Sequence, residues 1–333
     1  MANVLLTQRC VRSCPYCFAK DHMARSLSDD ILSWDDLIYL ADFIETSGEQ
    51  HVSLLGGEPT LHPDFVNFVL YLLERKISIT VFTSGIISEV TLNEMASALK
   101  GYSEEHLHFV CNLNEPDLSP PGEGERIRPF LERFGNRTVA SFNIYHLNFK
   151  LDFLFQSINQ YGLSRQIRLG LAHPITNSEN KFVSIHSIRR VIERLFSYTP
   201  HFQRFRISPF LDCGFPMCAF SDEQLGTLYR LRGGDIRFGC SPAFDIGPDM
   251  TVWCCFPMSS YHKKSIFEFD SIKEIIHFYQ ARLNTIRIEA GGIYEACDDC
   301  QYREEDKCAG GCVAHLIRDF RSEERVRLEE IYS

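Results

Sequence analysis

A chain of 333 residues is long enough for one large domain or two ordinary ones, and 44% hydrophobic with 23% charged residues is an ordinary globular composition that excludes global disorder. Its 34 Lys and Arg stand against 44 Asp and Glu, a formal charge of -10, which argues against nucleic acid as a partner. No apolar run is long enough to cross a bilayer, and the short start before Arg9 is neither signal peptide nor anchor, so a cytoplasmic protein without membrane contact is expected.

In chain order, the first two-thirds repeats one rhythm, a short apolar run followed by a helical pattern, which marks βα units and a parallel sheet of the α/β class. Strands are predicted over 3–8, 51–55, 77–83, 106–112, 138–144 and 166–171. Between them Ser33 caps a helix that ends at Gly48, Pro63 begins one at its first turn, Ser88 opens one closed by Gly101, and further helices end at Gly135 and Gly162. Phe65, Phe68, Val69, Leu72 and Leu73 recur at helical spacing and are assigned to the core. Residues 114–125, with Pro116, Pro120 and Pro121, read as a surface loop over one end of the sheet. After a helix over 185–198, Pro, Gly and Cys become dense from Pro209 onward, so a boundary near residue 210 divides the chain into 1–210 and 211–333. The tail 318–330, charged in both signs at helical spacing, reads as a solvated helix.

The 13 cysteines are a surplus for a chain with no export signal, and in a reducing cytosol thiols serve as metal ligands more often than as disulfides. Cys10, Cys14 and Cys17 form CxxxCxxC directly after the first strand. Three thiolates on one short loop hold three corners of a cubane cluster and leave one iron open, as a catalytic metal requires. The competing reading is a zinc loop that borrows a ligand such as His22. Gly56-Gly57-Glu58-Pro59 ends the second strand, where two glycines let backbone approach a ligand closely and an acid suits a positively charged amine. Cys111, inside the fourth strand, is read as a small buried hydrophobe, and Trp253 as packing.

CxxxCxxC with Tyr16 just before its last cysteine, followed one βα unit later by GGEP, resembles the signature of the radical S-adenosylmethionine superfamily. The resemblance covers the first 210 residues and implies a partial (βα)6 TIM-like barrel. It also implies a [4Fe-4S] cluster on Cys10, Cys14 and Cys17 whose unique iron is chelated by S-adenosylmethionine. One electron then breaks the sulfonium bond, and the resulting 5′-deoxyadenosyl radical abstracts a substrate hydrogen. By the same resemblance Gly56, Gly57, Glu58 and Pro59 contact the methionine amine. Thr83, Ser84, Asn112 and Asn143 stand at strand ends where such enzymes place contacts to methionine and ribose, and Leu171 with Ala172 would meet adenine.

The last third holds Cys213, Cys218, Cys240, Cys254, Cys255, Cys297, Cys300, Cys308 and Cys312. The run CDDCQYREEDKCAGGC has spacing used by zinc and iron-sulfur sites alike. With Cys240 and the PDMTVWCC segment it resembles the SPASM extension of radical enzymes, a small Cys-rich iron-sulfur domain. That resemblance implies a first auxiliary [4Fe-4S] cluster on Cys240, Cys255 and Cys312 and a second on Cys297, Cys300 and Cys308; a single-cluster version is the alternative. The pattern departs in three places: Met250 replaces a turn glycine, Cys254 competes with Cys255, and no cysteine follows Cys312 in the sequence. Cys213 or Cys218, an oxygen or nitrogen donor such as Asp319 or His315, or an open iron that binds substrate would fill the fourth places. Phe256 after Cys255, where sulfatase-maturing relatives have an acid, weakens that particular reading.

The expectation by resemblance is oxidative modification of a peptide or protein side chain, such as crosslinking, during maturation of a ribosomally made peptide. The first strand begins near residue 3, so no leader-recognition domain is expected at the N-terminus, and a separate leader-binding protein is the expected partner. A one-electron donor such as flavodoxin or ferredoxin is the second. The alternatives are a radical enzyme acting on a sugar or amino-acid derivative, and a non-catalytic zinc or iron-sulfur scaffold.

Overall fold

The computed structural model describes residues 2–20, 23, 30–175, 179–234, 236, 238–240 and 243–319. Parallel strands stand on the apolar runs: β1 (Ala2–Thr7), β2 (His51–Gly56), β3 (Ser78–Thr83), β4 (Leu107–Asn112), β5 (Thr138–Ile144) and β6 (Gln166–Leu171), each paired with the next. Their side chains are buried on both faces, as Val4, Leu5 and Leu6 show, because crossover helices cover the sheet. The helices between are α1 (Trp34–Thr46), α2 (Phe65–Glu74), α3 (Glu89–Ala98), α4 (Glu123–Phe134) and α5 (Asp152–Tyr161). Ser33 and Ser88 cap α1 and α3 as predicted, their hydroxyls accepting from Asp36 N and Thr91 N at 3.1 Å, each worth about 1 kcal/mol. Phe65, Phe68, Val69, Leu72 and Leu73 of α2 are all buried, and each contributes about 1.5–3 kcal/mol of hydrophobic stabilisation.

Three segments differ from expectation. A 3₁₀ turn, Pro59–Leu61, uses the residues just before Pro63, so α2 starts at Phe65 behind Asp64. The helix expected over 185–198 is a 3₁₀ turn, Ile185–Ser187, then α6 (Ile188–Phe196); α7 (Thr199–Phe205) follows with Pro200 in its first turn. Pro200 has no N–H with which to continue the preceding helix. The expected surface loop over 114–125 is largely exposed, Leu118 at 57%, and differs only in being anchored by Glu115 and Glu123, which are 5% and 4% exposed, and in that α4 already begins at Glu123. The tail beyond residue 319 lies outside the described residues.

The sheet continues through the expected boundary. β7 (Ser208–Leu211) pairs in parallel with β6, while β8 (Phe244–Ile246) pairs in parallel with β1 on the opposite side. β9 (Thr251–Trp253) and β10 (Lys264–Ser265) extend that side antiparallel, giving the order β10-β9-β8-β1-β2-β3-β4-β5-β6-β7. With β7 and β10 at its edges the sheet is a partial barrel. Met250 turns between β8 and β9 at φ 61°, the left-handed conformation that favours glycine, and its side chain is buried. α8 (Asp222–Arg232), α9 (Ile272–Ala290), α10 (Gln301–Glu304) and α11 (Val313–Asp319) complete the Cys-rich region. Among the described residues no helix is long and apolar enough to cross a membrane. Because β1 to β6 are parallel, the loops at their carboxyl ends gather at one mouth, where barrel enzymes place their chemistry.

Candidate active site

β1 runs directly into the loop that carries Cys10, Cys14 and Cys17, all three partly exposed. The Cys17 N–H donates to the Cys14 carbonyl at 3.1 Å, closing a turn between these two residues, and Arg12 N donates to Cys10 Sγ at 3.4 Å. Burial pushes Cys10 up to about 11 and Cys17 up to about 12, and the charge of Cys14 adds to both. Bare, these two thiols stay protonated at neutral pH; a bound metal group would deprotonate them. His22 lies outside the described residues.

The two glycines at the end of β2 are required by the loop itself. Gly57 N donates to Thr7 O at 2.9 Å and Glu58 N to Arg9 O at 2.7 Å. A Cβ on Gly56 or Gly57 would lie 2.3 Å from Thr7 O or 2.1 Å from Arg9 O, inside the backbone of the end of β1 and of the cysteine loop. Glu58 is fully buried. Its Oε1 accepts from Thr60 Oγ1 and Thr83 Oγ1, both at 2.8 Å, and its Oε2 accepts from Ser84 N at 2.7 Å and Ser84 Oγ at 2.5 Å. Glu58, Thr83 and Ser84 are thus one hydrogen-bonded unit that clamps the ends of β2 and β3. Pro59 opens the 3₁₀ turn that follows.

A second network joins the ends of β4 and β5 to the loop. Asn143 Nδ2 donates to Asn112 Oδ1 (2.9 Å), Asn112 Nδ2 to the Tyr16 hydroxyl (2.7 Å), and that hydroxyl to Asn114 Oδ1 (2.6 Å). Arg12 inserts beside it, donating to Asn112 O at 2.6 Å and pairing with Glu123 at 2.9 Å, both side chains about 95% buried. Leu171 and Ala172 are buried at the end of β6. Arg12, Asn114 and Glu123 escape a sequence reading because their partners are brought together only by the mouth; the one signal is a cation inside the cysteine loop facing an acid-rich 114–125.

A cleft of about 640 Å³ opens beside this network, lined by Glu115, Tyr145, His146, Lys150, Asn180 and Phe182 among others. Tyr145 packs on Tyr16 with ring centroids 4.9 Å apart, so the cleft abuts the cysteine loop. Buried Glu115 accepts from His146 Nε2 at 2.8 Å and from Lys150 N at 3.1 Å, which fixes the imidazole at the cleft wall. Asn180 Nδ2 donates to Tyr16 O and His173 O, and Lys181 N to Pro15 O, so the chain after β6 is strapped across the loop.

The remaining thiols fall into two neighbourhoods. Charges of Cys312 and Cys254 act on Cys240, and those of Cys254, Cys312 and Cys240 act on Cys255, whose pKa is raised first by its hydrogen bond with Cys254. Burial pushes Cys240 and Cys312 up to about 11. The charges of Cys300 and Cys308 act on Cys297, whose pKa burial raises. Cys213, after β7, and Cys218, in the 3₁₀ turn Met217–Ala219, are exposed. His315 and His173 are buried against each other, 3.4 Å between Nε2 and Nδ1; His173 Nε2 reaches Cys213 O, and His315 N donates to Cys312 O. Asp319 ends α11. Cys111 is buried in β4 and Trp253 in β9. Among the described residues no three of His, Cys, Asp or Glu converge on a single metal ion.

Residues 4–117, from β1 through both motifs to the 3₁₀ turn after β4, match the Radical SAM superfamily. The GTP 3′,8-cyclase of Streptomyces coelicolor is 31% identical over 119 residues, which cover 35% of this chain and 34% of that one. The chain therefore spans about a third of that curated relative. Among solved structures, native anSMEcpe with bound AdoMet superposes with a TM-score of 0.67 at 15% identity, covering 99% of this chain and 95% of that one. Streptococcus suis SuiB bound to precursor peptide SuiA superposes with a TM-score of 0.59 at 17% identity, covering 81% and 63%. At these identities the two likenesses speak for the fold.

Proposed function

We propose, from the match of residues 4–117 to the Radical SAM superfamily, that this chain is a radical enzyme that oxidatively modifies a side chain of a peptide or protein. The observation that carries the reading is the cysteine loop: three partly exposed thiols on one loop, held against Gly56-Gly57 at the mouth of a partial barrel and beside a cleft. That donor set fits three corners of a [4Fe-4S] cluster, with Cys10, Cys14 and Cys17 as ligands and the fourth iron left for S-adenosylmethionine. When bound, the pair supplies a hydrogen-abstracting radical; the protein supplies position and dryness.

The chain's own residues do the positioning. The Glu58 clamp fixes the ends of β2 and β3, the Asn143-Asn112-Tyr16 chain fixes the loop against β4 and β5, and the Asn180 strap covers it. Gly56, Gly57, Pro59 and the mouth residues Thr83, Ser84, Asn112, Asn143 and Leu171 remain the proposed surroundings of S-adenosylmethionine, with Glu58 acting through Thr83 and Ser84. The cleft at Tyr145 and His146 is where a substrate side chain would enter. The two C-terminal thiol neighbourhoods fit one or two auxiliary clusters on Cys240, Cys255, Cys312 and on Cys297, Cys300, Cys308, within a domain after residue 210.

Two further observations bear on the substrate. SuiB, which shares the fold over most of this chain, is bound to a precursor peptide, and this favours the peptide reading. The likeness to GTP 3′,8-cyclase favours a small molecule, but it spans only 35% of the chain. After anaerobic reconstitution and reduction, the protein is expected to release 5′-deoxyadenosine, and to transfer deuterium into it from a labelled peptide encoded beside its gene. Release that persists in a Cys10, Cys14, Cys17→Ala variant would overturn the enzyme assignment. Deuterium transfer from a nucleotide or sugar, and none from peptide, would replace the substrate class.

A further inference from the structure

Cys218 stands 79 positions before Cys297, yet two sets of contacts bring it to the same place. The first runs through α6. Arg189 of that helix donates to the Cys218 carbonyl at 3.4 Å, and Tyr294, three residues before Cys297, donates its hydroxyl at 2.9 Å to the Ile185 carbonyl just ahead of the same helix. The second is a cavity of about 710 Å³ lined by both Met217 and Lys307, the residues immediately before Cys218 and Cys308, together with Phe238. Phe238 forms a parallel bridge to Cys308, and its carbonyl accepts from Ala309 N at 3.1 Å.

We infer that Cys218 is the fourth thiolate of the set formed by Cys297, Cys300 and Cys308. Four thiolates close a [4Fe-4S] cluster, whereas three leave an iron open to a ligand. The set is therefore closed and offers no coordination position to substrate. Cys213 belongs elsewhere: its carbonyl lies 3.4 Å from His173 Nε2. The inference rests on the proposed reading of the C-terminal region as a metal-binding domain.

The test counts metal rather than turnover. Full-length protein carrying Cys10, Cys14, Cys17→Ala is reconstituted anaerobically, so that only C-terminal iron and sulfide are measured. Cys218→Ala is expected to lose one iron, with a three-iron EPR signal, or the whole of one cluster. Cys297→Ala should lose the same cluster, and the double variant no more than the greater of the two single losses. Cys218→Ala combined with Cys240→Ala should lose both. The near-isosteric Cys218→Ser keeps the test valid should Ala perturb folding: it should restore iron while shifting the EPR signal of the reduced cluster. Full iron and an unchanged signal in Cys218→Ala and Cys218→Ser, or additive losses with Cys297→Ala, would overturn the inference. Should the parent bind zinc without sulfide, the iron-sulfur reading fails, and the same comparison scored on zinc still decides whether Cys218 closes the set.

Discussion

Gly57 carries more of the site than its lack of a side chain suggests. Its N–H holds Thr7 O at 2.9 Å, and any Cβ there would sit 2.1 Å from the Arg9 carbonyl, which is backbone and has no rotamer by which to yield. Gly57→Ala is therefore expected to displace the start of the cysteine loop, lowering stability by about 2 kcal/mol or more and lowering iron bound at the Cys10 site while C-terminal iron is retained. Iron analysis beside urea unfolding checks this, and a variant with full iron and an unchanged midpoint would refute it. From the sequence, two adjacent glycines announce a close approach without saying to what. The partner is the protein's own backbone, set by the pairing of β1 with β2. Glu58 was legible as a special acid in the same limited way. Its partners Thr83 and Ser84 lie one βα unit later, and only the parallel register of β2 and β3 brings them within hydrogen-bond reach.

At the scale of elements, the apolar runs and Ser caps place β1 to β6 and their helices with few errors, since burial on both faces and capping are written into local sequence. The connections were harder to read. The chain after β6 has no periodicity, yet Asn180 makes it a strap by donating to Tyr16 O at 3.2 Å and His173 O at 2.9 Å and accepting from Ile175 N at 3.2 Å. One side chain thus satisfies three backbone groups on two segments. Asn180→Ala leaves those groups to find water or go unpaired, at a cost of about 1–3 kcal/mol. Because the strap lies over Pro15 and Tyr16, the variant is expected to label faster with maleimide at Cys14 and Cys17 in the metal-free protein. Mass-spectrometric labelling rates measure that, and equal rates in variant and parent would show that the strap does not shield the loop.

For the whole molecule, the Cys-rich region is bound to the barrel along the seam between β1 and β8, where Asn3 Nδ2 donates to Asp245 Oδ1 at 2.7 Å. No local pattern in the sequence forecasts that three residues near 245 will pair with the first strand; the seam is a product of long-range closure. Asp245 is 3% exposed, and burial pushes its carboxyl up to about 7, against the lowering effect of its hydrogen bonds. A carboxyl whose pKa is higher folded than unfolded binds its proton more tightly in the native state. Its contribution is then full below the unfolded value near 3.8 and is lost as pH rises to about 7, after which it stays lost. Asp245→Asn keeps an acceptor for Asn3 and removes the charge. The variant should therefore be more stable than the parent at about pH 8, and the gap should close toward about pH 4. Urea midpoints measured across that range decide the matter. Parallel curves for the two proteins would mean that the acid at this seam is not what ties the cohesion of barrel and Cys-rich region to pH.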